Sequence, residues 1–180
     1  LHLLPRRAAL AWARAHLEPL HSVPKPTVDV IRLIVTFPRS AVARLLHISR
    51  TTVTAHCRRA EEALGLDLGE VGNRATLDLA LSLTALHPDP ADSVQPVAPR
   101  LGELLRADPV TTWAETFLHP LRDTRHRDLY LTVETWIDAN TDAQRTAAAV
   151  GLSRNTVRAH LRAAERLLNR DLLTTGSGIH

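Results

Sequence analysis

An all-α chain made of two tandem copies of one unit is the architecture that the sequence predicts, and three observations predict it. Apolar residues recur at helical spacing, while strand-like alternation and hairpin signals are scarce. Residues 49–68 (SRTTVTAHCRRAEEALGLDL) match residues 153–172 (SRNTVRAHLRAAERLLNRDL) at 12 of 20 positions, at an offset of 104. Ordinary composition would give about one or two such matches. A second block, Trp12–Leu20 (WARAHLEPL), matches Trp113–Leu121 (WAETFLHPL) at an offset of 101. The blocks keep their order in both halves, so the repeated unit is about 70–75 residues long rather than a single helix.

In the first copy, the pattern predicts helices over Val28–Phe37 and Arg39–Leu46 and a turn at His47 and Ile48. Ser49 then caps a third helix that runs to about Leu64, because its oxygen accepts a free N–H of the first turn. Ala75–Leu86 closes the copy, with Leu77, Leu81 and Leu86 on its apolar side. Residues 87–99 (HPDPADSVQPVAP) carry Pro88, Pro90, Pro96 and Pro99 and read as a semi-rigid linker. In the second copy, Asp128–Ala139 presents Leu129, Val133, Trp136 and Ile137; Ala143–Val150 is a short helix; Gly151 and Leu152 turn the chain; and Ser153 caps a helix to about Leu168. The domains are therefore expected at 1–86 and 100–175, with a frayed tail over 176–180. Trp12 and Trp113, at matching places, are expected to plug the two cores.

Composition bounds the function. With 180 residues, 44% of them hydrophobic, the chain can build real cores. No run of 18 apolar residues is present to span a membrane. The single cysteine, Cys57, excludes a disulfide framework and a cysteine-based zinc site. Without a signal-peptide pattern, a reducing cytosol is the expected compartment. The chain opens at Leu1 and has no methionine, as expected of the C-terminal part of a longer protein. Lys25 is the single lysine, so 21 of the 22 basic residues are arginines. That raises the pI to 9.9 although the net charge is only +3. A nucleic-acid partner must therefore be argued from where the arginines sit.

The three-helix spacing fits a helix-turn-helix. That motif needs a small residue inside its first helix, a residue tolerant of positive φ in the turn, and apolar residues that fix the crossing. The second copy supplies Ala147, Gly151 and Val157, with Val150, Leu152, Leu161 and Leu168 completing the seam. The first supplies Ala43, Leu46, Ile48, Val53, Cys57 and Leu64, but has His47 where the second has Gly151, at a cost near 1 kcal/mol.

The outward face of the third helix carries the chemistry. It bears Arg154, Asn155, Arg158 and Arg162 in one copy, and Arg50, Thr51, Thr54, Arg58 and Arg59 in the other. The first acids are Glu61 and Glu165, beyond the leading ten residues. Arginine grips guanine O6/N7 bidentately and asparagine does the same at adenine N6/N7. Ser49, Thr52, Ser153 and Thr156 stand at the helix starts, where phosphate oxygens meet the positive end of the helix dipole. His56 and His160 match between the copies and suit either a phosphate contact or packing on the preceding helix.

Other chemistries find little support. The ten histidines form no HxxxH pair and no HExxH string, so no metal is expected. There is no glycine-rich phosphate loop and no nucleophile elbow, so neither an enzyme nor a cofactor is expected. Six aromatics are too few for single-strand stacking platforms.

The string LSRNTVRAHLRAAERLLNRDL, preceded by AQRTAAAVG and by the LxPL element Leu118–Leu121, resembles the C-terminal helix-turn-helix of PucR-type, Fis-like transcriptional regulators. The resemblance covers nearly all of the second copy and, more weakly, the first. It implies double-stranded DNA binding by the third helix, beneath a sensory domain N-terminal to this chain. It makes Arg154, Asn155 and Arg158 the base readers, with His160 where the family often has a basic residue. Thr51 and Thr54 depart from it, so the two copies are expected to read different half-sites, by one chain or by a homo-oligomer. The alternative is that only the second copy binds DNA, while the first, with its His47 turn, is a protein-interaction or dimerisation surface.

Overall fold

The computed structural model describes residues 3–87 and 98–172, and among these the regular structure is helical. Most of the proline-bearing linker and the glycine-serine tail lie outside the described residues. Two compact units form, Leu1–Thr111 and Thr112–His180. Among the described residues, no helix is long and apolar enough to cross a membrane.

The first unit opens with α1 (Arg6–Leu17), followed by a 3₁₀ turn over Glu18–Ser22 with Pro19 as its second residue. Next come α2 (Lys25–Ile34), α3 (Arg39–Leu45), α4 (Arg50–Leu64), α5 (Val71–Leu86) and α6 (Leu101–Leu105). α1 packs along α5, so Ala9, Trp12, Ala13 and Leu17 share a core with Leu77, Ala80 and Leu83. Leu101 and Leu104 pack against this same core, although residues 100–111 belong by sequence pattern to the second repeat.

α2 lies three residues upstream of the expected 28–37. Pro24 is its N-cap and Pro26 sits in its first turn, where a preset φ suits helix entry and a missing N–H costs nothing. At the other end, the Thr36 and Phe37 amides both turn back to the Leu33 carbonyl, and Pro38 caps α3.

The second unit contains α7 (Asp108–Arg122) from Thr112 onward, then α8 (Arg127–Asp138), α9 (Ala143–Val150) and α10 (Arg154–Leu168). Its core is Leu121, Val133, Trp136, Ala147, Val157, Leu161, Ala164 and Leu168. α9 and α10 occupy the ranges that the sequence pattern predicts.

Trp12 is buried as expected, but Trp113 is not: it is 49% exposed against 7% for Trp12. The difference lies in what covers the helix. α1 is roofed by α5, whereas among the described residues no helix follows α10 to roof α7, and Leu121 is its one buried side chain. Pro120 also lies inside α7, while the matching Pro19 stands beyond the end of α1. Leu46, Leu86, Ile137 and Leu152, expected on apolar faces, are likewise exposed. Leu46 and Leu152 sit on the rims of the two turns, and Leu86 and Ile137 fall in the last turn of their helices.

Candidate nucleic-acid interface

The turns that aim α4 and α10 are built alike. His47 takes φ 54° and Gly151 φ 68°, so the histidine adopts the left-handed conformation that the motif requires. The next amide closes each turn: Ile48 N–H donates to Ala43 O and Leu152 N–H to Ala147 O, both at 3.0 Å.

The helix starts repeat in the same detail. Ser49 Oγ accepts the Thr52 N–H at 3.0 Å, and Ser153 Oγ accepts the Thr156 N–H at 3.0 Å. Each serine hydroxyl also pairs with that threonine's hydroxyl at 2.8 Å. The four residues predicted at the helix start are thus brought together as two matching caps. Left-handed residues, Gly65 and Asn169, end the two helices.

One side of each helix is core. Val53, Cys57 and Ala60 are buried in the first unit, and Val157, Leu161 and Ala164 in the second. Burial pushes the Cys57 thiol above its ordinary range, so it packs as a small apolar group. The opposite side is exposed and carries Arg50, Thr51, Arg58 and Arg59 on α4, and Arg154, Asn155, Arg158 and Arg162 on α10. No ion pair among the described residues neutralises these arginines. Thr54, which stands where α10 has Arg158, turns its hydroxyl onto its own helix and donates to Arg50 O at 3.0 Å.

The first acids face away from this surface. Glu61 Oε1 accepts the Leu68 N–H at 3.1 Å, and Glu165 Oε1 accepts the Leu172 N–H at 2.9 Å. Each carboxylate therefore ties down the loop beyond its helix, and Glu61 also lies 3.9 Å from Arg39. The leading half of each helix is left cationic.

His56 and His160 pack not on the immediately preceding helix but on the one before it, α2 and α8, where Nδ1 meets Thr27 Oγ1 and Thr132 Oγ1. Neither threonine was legible as a site residue. The one available signal was the Thr-Val pair at 27–28 and again at 132–133, upstream of the repeated histidines.

A capped, arginine-faced helix following a tight left-handed turn, present twice, defines a tandem helix-turn-helix protein of the DNA-binding class. The model of the PucR C-terminal helix-turn-helix domain matches residues 36–83 and again residues 129–177. The chain belongs to this family of DNA-binding transcription regulators. No match was found among curated proteins or among solved structures.

Proposed function

We propose that the chain binds double-stranded DNA sequence-specifically, with α4 and α10 as recognition helices in the major groove. The observation that carries this reading is the repeated acid-free face: exposed arginines without ion-pair partners among the described residues, on helices whose first acids are tied back to the loops that follow them. Arg154, Asn155 and Arg158 read base edges on α10, and Arg50, Thr51, Thr54 and Arg58 line the same positions on α4. Arg162 and the capped starts at Ser49/Thr52 and Ser153/Thr156 meet phosphates. Because Thr51 and Thr54 replace Asn155 and Arg158, the site has two unlike halves. Footprinting after a random-oligonucleotide selection tests this. The Arg154→Ala, Asn155→Ala double variant should lose base preference at one half-site, and an unchanged preference would defeat the assignment.

One observation favours a second reading for the first unit. Phe37, Leu45 and Leu46 are exposed there, where the second copy has Thr141, Ala149 and Val150. On that reading the first unit is a protein-interaction surface and only α10 reads DNA. Unchanged DNA affinity in an Arg50→Ala, Arg58→Ala variant would support it.

A further inference from the structure

The repeated threonine–histidine pair joins each recognition helix to the helix beneath it. His56 Nδ1 lies 2.9 Å from Thr27 Oγ1 on α2, and His160 Nδ1 lies 2.9 Å from Thr132 Oγ1 on α8. Both threonines are buried, at 0% and 1% exposure. In the second unit the direction of the bond follows from the hydroxyl's valence. Its single hydrogen goes to Asp128 O at 2.6 Å, so Thr132 accepts from His160 Nδ1–H.

The surrounding contact between α8 and α10 is apolar, made by Val133 and Trp136 against Val157, Leu161 and Ala164. Apolar burial is non-directional and fixes the rotation of a helix less sharply than a directional contact does. A hydrogen bond to a buried oxygen is directional and expensive to leave unmade. Successive residues are about 100° apart around a helix, and recognition constellations tolerate errors of only about 10–20°. A small roll of α10 would therefore carry Arg154, Asn155 and Arg158 off their base edges.

We propose that Thr27 and Thr132 are positioning residues: through His56 and His160 they set the rotation of each recognition helix about its own axis, and so decide which side chains face the groove. The inference rests on the DNA-binding reading above. It assigns sequence discrimination, rather than stability, to a buried polar contact.

The test uses the full chain, a duplex recovered with it from a random-oligonucleotide selection, and a scrambled duplex of the same length. Thr132→Val keeps the shape and removes the acceptor. It should lower the melting temperature by a few degrees, leave scrambled-duplex affinity close to that of the parent, and lower selected-duplex affinity roughly tenfold. Thr132→Ser should restore the affinity ratio. His160→Leu should narrow the ratio as Thr132→Val does, and the double variant should be no worse than either single. A Thr132→Val protein that melts early yet keeps its ratio would overturn the proposal, since the threonine would then only pack. If Thr132→Val does not fold, His160→Leu carries the test, and an unchanged ratio in that variant overturns the proposal as well. Arg154→Ala separates the two layers. If it leaves selected-duplex affinity intact, the DNA reading fails; if it lowers that affinity while Thr132→Val and His160→Leu do not, only the positioning role falls.

Discussion

The first unit buries Trp12 and stacks it on His16, with ring centroids 5.5 Å apart, while the second leaves Trp113 half-exposed on Phe117 at 5.2 Å. These are matching pairs in matching helices, yet one lies under α5 and the other has no such cover among the described residues. The turn, the serine cap, the histidine latch and the glutamate tie repeat almost atom for atom. The local structure that orients and clears the arginine-bearing helix is thus the same in both units, while the support around it differs. The comparison teaches that the aiming is local to the three-helix unit and does not require the preceding helix to be roofed.

The largest test of this contrast is truncation of the two tryptophans. Trp12→Ala should cost about 3–5 kcal/mol of first-unit stability, and Trp113→Ala less than about 1 kcal/mol, read by chemical denaturation. Equal losses would mean that α7 is covered in solution. Next come the arginines of the exposed faces. Arg158→Ala should weaken DNA binding by about 1–3 kcal/mol, whereas Thr54→Ala should cost far less, because the Thr54 hydroxyl already bonds its own backbone. Fluorescence anisotropy at fixed salt would show it, and comparable losses would erase the proposed asymmetry.

The turn residues give a smaller, reciprocal pair. Gly151→Ala should destabilise the second unit by about 1 kcal/mol through φ alone, since no atom lies within 4 Å of the added Cβ. His47→Gly should stabilise the first unit by a similar or smaller amount, read by thermal melts. The slightest effect is a pH trend confined to the first unit. Burial lowers the pKa of His16 below its ordinary 6.5, and its buried Nε2 has no partner. The unfolded chain therefore takes up the proton first. The stability His16 contributes is complete above about pH 6.5 and is lost as pH falls toward the depressed folded value. His16→Phe, which copies Phe117, should flatten that part of the melting-temperature profile.

What was legible in the sequence was local. Gly151, Ser49 and Ser153 announce a turn and two caps because the physics lies within four residues of each. His47 could be expected to take positive φ because its alignment with Gly151 left the backbone no other path. The cover over Trp12 was not legible in the same way. Periodicity reports that a face is apolar but not whether another helix reaches it, so Trp12 and Trp113 looked alike. The partners of His56 and His160 stand 29 and 28 residues upstream, beyond any local pattern. Asn140 and Thr141 both take positive φ where Thr36 and Phe37 do not; the signals that separate the loops are Asn140, which tolerates the left-handed region, and Pro38, which biases Phe37 toward extended backbone.

The claim that the two copies share one aiming device and differ in the letters they read can be tested by grafting. Thr51→Asn with Thr54→Arg gives α4 the Arg-Asn-x-x-Arg face of α10, and a random-oligonucleotide selection on that variant reads the outcome directly. Two like half-sites should replace the two unlike ones. Recovery of the parent site would show that α4 does not read bases at all.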